Sequence, residues 1–155
     1  MKYLNQIILL TMITLYPLSH YGQERIIWTN FQQLDSLLSV APRETIIFIH
    51  TDWCSYCRKM EKEVFTKKEI AELINNNYYL IQLDAESVEE INFDQHTWKP
   101  QSFKKQTGVY HPLASILLTN QKMIFPTILR YDKTFRLKSI KQKYLSPKQL
   151  ANFLR

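Results

Sequence analysis

Both cysteines of the chain, Cys54 and Cys57, lie directly after a short apolar run at residues 45–50. The run is rich in β-branched residues, which predicts a buried strand. A Cys-x-x-Cys pair that follows a strand and opens a helix has its first sulfur at the helix N-terminus. There, unpaired backbone N–H groups and the helix dipole stabilise a thiolate. The second sulfur, one turn later, is close enough to resolve a mixed disulfide, so the motif predicts disulfide chemistry.

The other common uses of such a pair require residues that the chain lacks. A four-cysteine zinc site needs a second pair, and His96 and His111 do not supply one at ligand spacing. Residue 58 is Arg58 rather than histidine, so the motif for covalent haem attachment is absent. We therefore expect no metal and no cofactor other than the cysteine pair itself.

The first 22 residues have the composition of a secretory signal peptide. Lys2 precedes an uncharged, mostly apolar stretch at residues 3–18, and we expect cleavage near Gly22. The alternative is an uncleaved membrane anchor, although the stretch is shorter than the roughly 20 residues that span a bilayer. Export would place the cysteine pair where disulfides form and persist. Residues 23–155 would then form a single domain.

Charge is distributed unevenly along this domain. Residues 99–155 contain twelve Lys and Arg against one acid, whereas residues 23–98 contain seven against thirteen. A basic surface could attract acidic partners, but a solvated lysine-rich surface is the commoner explanation. Basic and aromatic residues do not interleave in a nucleic-acid-binding pattern, so we expect no nucleic acid partner.

Apolar spacing predicts the element order α-β-α-β-α-β-β-α, which is an α/β fold. The predicted helices cover residues 29–38, 54–64 with a second segment at 66–73, 113–118 and 148–154, and the predicted strands cover residues 45–50, 78–84, 125–131 and 134–140. Thr29 or Asn30 is expected to cap the first helix, and Thr66 to begin a capping box. An asparagine run at residues 75–77 should end the second helical segment. Residues 85–111 lack a clean period and are interpreted as an insertion that carries a small hairpin.

Strand, Trp-Cys-x-x-Cys, long helix, strand, and later Pro126-Thr127 before a hairpin is the element order of the thioredoxin fold. The sequence thus resembles the thioredoxin-like superfamily over essentially all of residues 23–155. The resemblance implies a central mixed β-sheet flanked by helices, with the insertion before the cis-proline strand. It also implies that Pro126 is cis and lies against the sulfurs, and that Phe125 offers backbone hydrogen bonds to an extended substrate.

Two further segments, residues 51–54 and 59–66, resemble exported thioredoxin-related proteins. These include the C-terminal periplasmic domain of transmembrane disulfide reductases, so the resemblance implies a periplasmic location. Two departures stand out: Phe48 and Leu80 occupy the positions at which thioredoxin has a buried aspartate and a lysine. Because the two residues between the cysteines also differ from those of thioredoxin, its redox potential cannot be transferred to this chain.

These observations predict an exported thiol-disulfide oxidoreductase that reduces or isomerises protein disulfides, with Cys54 as nucleophile and Cys57 as resolving thiol. The substrate-binding residues are expected to be Trp53, Tyr56, Phe125, Pro126 and Thr127. Asp52 is a candidate for proton transfer, with a solvated or helix-capping role as the alternative. The expected partners are protein thiols and disulfides and a thiol electron donor. The protein itself is expected to be a monomer. The competing hypothesis is a non-enzymatic module that binds or assembles clients on the same scaffold.

Overall fold

The computed structural model describes residues 24–119 and 121–155. The predicted signal peptide at residues 1–22 lies outside the described residues. The strands are β1 (Trp28–Thr29), β2 (Glu44–His50), β3 (Tyr78–Asp84), β4 (Ile91–Phe93), β5 (His96–Trp98), β6 (Thr127–Tyr131) and β7 (Leu137–Lys141). The helices are α1 (Phe31–Val40), α2 (Ser55–Glu63), α3 (Lys68–Asn77), α4 (Pro112–Leu117) and α5 (Pro147–Leu154). Among the described residues, no helix has the length and apolar character needed to cross a membrane.

The main sheet has five strands in the order β1-β3-β2-β6-β7. β2 pairs in parallel with β3 along its whole length, whereas β6 runs antiparallel to β2 and β7 runs antiparallel to β6. The five central residues of β2 are all buried, as the apolar run at residues 45–50 predicted. The predicted α/β class with a mixed central sheet is therefore confirmed.

The core consists of two clusters, one on each face of the sheet. Ile47 and Ile49 of β2 belong to a cluster with buried residues of α1 and α4. Ile46 and Phe48 belong to a cluster with α2, α3 and α5. The alternation follows from the two-residue period of a strand, which directs successive side chains to opposite faces. Both cysteines belong to the second cluster.

The ends of several elements differ from the predicted ones. Thr29 lies in the two-residue strand β1, which is too short to give a periodic signal, and Asn30 alone caps α1 in a capping box with Gln33. The predicted capping box at Thr66 is wrong. The Thr66 hydroxyl donates to the Lys62 carbonyl in the preceding turn, and α3 follows Lys67, which makes no capping side-chain hydrogen bond.

Two further boundaries depend on local hydrogen bonds. The asparagine run does not stop α3 early, because the helix continues through Asn77, whose amide donates to the Leu73 carbonyl. β7 begins at Leu137 rather than at residue 134. The Asp132 carboxylate accepts from the backbone N–H groups of Thr134 and Arg136, which extends the turn.

The structure contains the hairpin predicted within residues 85–111. β4 and β5 pair antiparallel and are joined by Asp94 and Gln95, both at positive φ. Positive φ at both central residues is typical of the two-residue turns that connect the strands of a β-hairpin. The hairpin is a separate two-stranded sheet and does not extend the five-stranded one.

Candidate active site

The cysteine motif lies at the carboxyl end of β2, where the chain enters α2. Cys54 is the N-cap residue of α2, and its Sγ accepts a hydrogen bond from the backbone N–H of Cys57 at 3.1 Å. That N–H is one of the donors that the first helical turn leaves without a backbone acceptor. A charged acceptor strengthens such a bond, so this geometry favours the thiolate of Cys54 once the pair is reduced.

Cys54 and Cys57 form a disulfide, with an S–S distance of 2.05 Å. Cys54 is 5% exposed and Cys57 is 1% exposed, so the first sulfur is the more accessible one, as expected of a nucleophile. The cysteines belong to the buried cluster that contains Phe48 and Met60, and the partly buried Phe125 packs against this cluster.

The strand order brings the Pro126 segment to the same edge of the sheet as the cysteines. β6 is antiparallel to β2, with Ile49 opposite Thr127, so the start of β6 lies beside the end of β2. The Phe125–Pro126 peptide bond is cis. The Thr127 side chain is fully buried, and its hydroxyl donates to the Ile124 carbonyl at 2.5 Å.

Aromatic side chains surround the cysteine pair. Trp53 and Tyr56 are 50% and 61% exposed, which is high for such large side chains. The Trp53 ring meets the Phe125 ring edge-on at a centroid distance of 5.8 Å. The centroids of the Tyr56 and Tyr144 rings are 6.3 Å apart. The structure thus brings together Cys54, Trp53, Tyr56 and Phe125 as the sequence predicted, although their roles in binding stay predictions.

Asp52 is held by a lysine from the insertion. Lys105 Nζ lies 2.5 Å from a carboxylate oxygen of Asp52 and 2.5 Å from one of Asp84. The hydrogen bond from Lys105 lowers the pKa of Asp52 below its ordinary value. Proton transfer by Asp52 stays a prediction, and this direction of the pKa makes its carboxylate a weak proton acceptor.

The strand positions next to the motif carry no buried acid. Phe48 and Leu80 are both fully buried and apolar. His50 stacks on Phe48 at a centroid distance of 5.6 Å. Burial lowers the pKa of His50, against the opposing effect of the nearby Asp84 carboxylate. His50 is therefore favoured as a neutral imidazole at the end of β2.

Sequence reasoning missed three residues of this site. Glu86, whose carboxylate accepts from the Trp53 indole N–H, and Lys105 belong to the aperiodic segment 85–111, and no motif marks either of them. The Tyr144 ring, in the loop between β7 and α5, has its centroid 6.3 Å from that of Tyr56. A loop residue carries no periodic signal, so the sequence does not reveal its position. Within residues 24–119 and 121–155, no cluster of three or more His, Cys, Asp or Glu side chains is arranged to hold a metal ion.

Comparison with known families finds one matching family. The description of that family is thioredoxin-like domain, and the match covers residues 32–155. None of the curated protein sequences is significantly similar to the chain.

Three solved structures illustrate the similarity of the fold. The structure of DsbH oxidoreductase has a TM-score of 0.61 and 11% identity, covering 91% of this chain and 90% of the other. A thioredoxin from Thermus thermophilus has a TM-score of 0.58 and 13% identity, covering 84% and 85%. The oxidised C-terminal domain of DsbD from Neisseria meningitidis has a TM-score of 0.50 and 11% identity, covering 82% and 95%. At these identities the similarity shows the fold alone, which is the thioredoxin fold that the sequence predicted.

Proposed function

The chain belongs to the thioredoxin-like domain family, and on that premise we propose that it is a thiol-disulfide oxidoreductase acting on protein disulfides. One observation carries the proposal. The Cys54–Cys57 pair lies at the N-terminus of α2, and the Cys54 sulfur accepts from the Cys57 N–H. The exposed rings of Trp53 and Tyr56 next to the pair form an aromatic rim. A helix N-terminus favours the attacking thiolate, and the rim offers apolar area to a client polypeptide.

The reaction begins with the reduced pair. The Cys54 thiolate attacks one sulfur of a client disulfide, the client S–S bond breaks, and the departing thiolate takes up a proton from solvent. Cys57 loses its proton and attacks the Cys54 sulfur of the mixed disulfide, which releases the second client sulfur as a thiolate. Two electrons have then moved to the client, and Cys54–Cys57 is oxidised. A thiol donor then reduces the Cys54–Cys57 disulfide, which returns the pair to its starting state. Oxidation of a client dithiol is the reverse of client reduction and begins with the oxidised pair.

The client is held by the residues around the pair. Trp53 and Tyr56 supply exposed ring surface, and Phe125, Pro126 and Thr127 supply the backbone beside which an extended client segment binds. The side chains of Pro126 and Thr127 are buried, so these two residues act through their backbone.

We further propose that the protein is exported and acts in the periplasm as a reductase or isomerase. The support is the charge and hydropathy of residues 1–22. Because no other cysteine is present in the chain, none is left for a structural disulfide. A thiol donor in the same compartment would keep the pair reduced.

Insulin reduction by dithiothreitol tests the activity, with wild type compared with Cys54→Ser and Cys57→Ser. Wild type should accelerate precipitation of the insulin B chain, and both variants should fall to the uncatalysed rate, because the two sulfurs act as a unit. Ser115→Ala, an exposed change on α4 across the sheet, is the matched control and should retain the wild-type rate. Equal turnover by wild type and both cysteine variants would refute the activity and leave the non-enzymatic binding module as the explanation.

A further inference from the structure

Glu86 is a buried carboxylate that the proposed reaction does not use. It follows the end of β3, and only 3% of its surface is exposed. Among the described residues, none of the ion pairs involves Glu86. A buried carboxylate without a cation is costly unless hydrogen bonds replace its lost hydration, so its donors indicate what it does.

Two N–H donors from different segments bind this carboxylate. The indole Nε1–H of Trp53 lies 3.1 Å from each carboxylate oxygen of Glu86. The backbone N–H of Gly108 lies 2.6 Å from Oε1. Gly108 has φ of +83°, a conformation that other residues rarely adopt. Glu86 thus joins Trp53 of the cysteine motif to Gly108 near the far end of the insertion.

A second contact joins the same two segments. Lys105, three residues before Gly108, bridges Asp52 of the motif and Asp84 at the end of β3. The other oxygen of Asp84 accepts from the backbone N–H of Glu86 at 2.9 Å, which fixes the turn that carries the buried carboxylate. The insertion is therefore bound to the motif at two adjacent residues, Asp52 and Trp53.

Ring contacts complete the connection. Trp53 meets Phe125 edge-on, and Phe125 meets Tyr110 at 5.7 Å. Tyr110 lies two residues after Gly108, so these ring contacts also connect Trp53 to the insertion. The indole is held by Glu86 at its N–H and by Phe125 at its ring. The exposed half of Trp53 is thereby presented in one orientation beside Cys54.

We propose that Glu86 is a positioning residue that fixes the Trp53 indole and joins it through Gly108 to the far end of the insertion, so that residues 104–110 form one wall of the client-binding surface. This inference rests on the proposed function, because it concerns the binding of the protein disulfide on which the pair acts. Glu86 contacts neither sulfur in the structure. Its loss should therefore weaken the binding of a polypeptide client and leave exchange with a small disulfide unchanged.

Glu86→Gln is the informative change, because it keeps the side-chain shape. The amide NH₂ that replaces one oxygen cannot accept from the indole N–H, so the bond to Trp53 weakens. Glu89→Gln is the matched control: it removes the same charge from an exposed position three residues later. Each variant is assayed in the full-length protein with insulin and with 5,5′-dithiobis(2-nitrobenzoate), and KM and kcat are separated.

For Glu86→Gln we expect KM for insulin to rise about tenfold, which is a moderate effect for weakening a hydrogen bond to a charged group. The rate with the small disulfide should stay unchanged within about twofold, and Glu89→Gln should match wild type in both assays. The indole ¹H–¹⁵N resonance of Trp53, one of three in the chain, should shift upfield in Glu86→Gln alone. A structural role without positioning would instead lower both rates together.

A double mutant shows whether Glu86 acts through the indole. Trp53→Phe removes the N–H donor, so adding Glu86→Gln to it should raise KM no further. An additive effect, an unshifted indole resonance, or an equal loss with both disulfides would overturn the inference. Turnover by wild type with an unchanged KM in Glu86→Gln would refute the inference alone, whereas no insulin turnover by wild type would refute the proposed function as well. If Glu86→Gln does not fold, Glu86→Asp decides in its place: it keeps the charge but withdraws the carboxylate from the indole N–H, so KM for insulin should rise, and an unchanged KM would overturn the inference.

Discussion

Phe48 shows how one residue separates this chain from the thioredoxin pattern. Its fully buried ring meets Phe65 edge-on at 5.0 Å and stacks on His50, in the same cluster as Leu80 and the two cysteines. Aromatic packing thus occupies the space beneath the motif. A proton that leaves Cys57 consequently has no buried carboxylate at this strand position to accept it.

Truncating Phe48 to alanine should lower the free energy of unfolding by about 3–5 kcal/mol, because a buried aromatic side chain is lost and a cavity remains. Phe48→Leu, which refills most of the space, should cost clearly less. Urea denaturation of the oxidised protein measures both. A loss below about 1 kcal/mol for the alanine variant would show that the ring does not contribute to the core as described.

At the residue scale, the sequence identified the cysteine pair and its aromatic neighbours but not Glu86. Cys54, Cys57 and Trp53 are adjacent in the chain, so their proximity follows from local structure alone. Glu86 is separated from Trp53 by the whole of α2, α3 and β3. Its carboxylate reaches the indole only because β3 lies parallel to β2 and ends beside the motif.

At the element scale, the long buried elements were predictable and their ends were not. The apolar periods of β2 and β3 reflect burial on two faces of a sheet, and this signal extends over whole elements. Element ends depend instead on single hydrogen bonds from side chains to the backbone, such as those of Thr66 and Asp132. A competing local acceptor moved each boundary by a few residues.

The cap of α4 makes the stability of the fold sensitive to pH. The buried ring of His111 accepts from the Leu113 backbone N–H through Nδ1 at 3.2 Å, and its Nε2 lies 3.1 Å from the Glu89 carbonyl. Nδ1 accepts only when unprotonated, so the folded ring is neutral, with Nε2 as donor. Burial lowers the pKa of His111 below its ordinary value, with hydrogen bonds to backbone carbonyls opposing the shift.

Because protonation is disfavoured in the folded state, the unfolded chain binds the extra proton first as the pH falls. The contribution of His111 to stability should be complete above the unfolded pKa of 6.5 and should decline as the pH falls below it. His50, whose pKa is lowered in the same direction, adds to the decline.

His111→Asn should keep a capping acceptor and flatten the decline. Urea denaturation at pH 7.5 and pH 5.5 compares the variant with wild type. An unchanged difference between the two pH values would contradict the role given to His111.

At the scale of the whole molecule, the uneven charge of the sequence is partly resolved within the fold. Basic residues of the second half pair with acids of the first, namely Lys99 with Glu90, Lys105 with Asp52 and Asp84, and Arg130 and Lys138 with Glu44. The strand order explains the pairs of Arg130 and Lys138 with Glu44, because β6 lies beside β2 and β7 lies beside β6.

The same topology assembles the candidate site from distant segments. The end of β2 supplies the cysteines, the start of β6 supplies Pro126, and the turn after β3 supplies Glu86. From the sequence, the meeting of Pro126 with the motif followed only from resemblance to a family, since no local pattern fixes the pairing of β6 with β2. The attachment of the insertion through Lys105 and Gly108 had no sequence signal at all.

In the proposed mechanism, Cys54 attacks protein disulfides and Cys57 resolves the mixed disulfide. Trapping tests it most directly: reduced Cys57→Ser is mixed with a disulfide-bonded protein, and the products are separated without reductant and mapped by mass spectrometry. We expect a covalent adduct through Cys54 that dithiothreitol releases, with no adduct from Cys54→Ser/Cys57→Ser and only a transient adduct from wild type. Failure of Cys57→Ser to form the adduct, or an equally abundant adduct through Cys57 in Cys54→Ser, would contradict it.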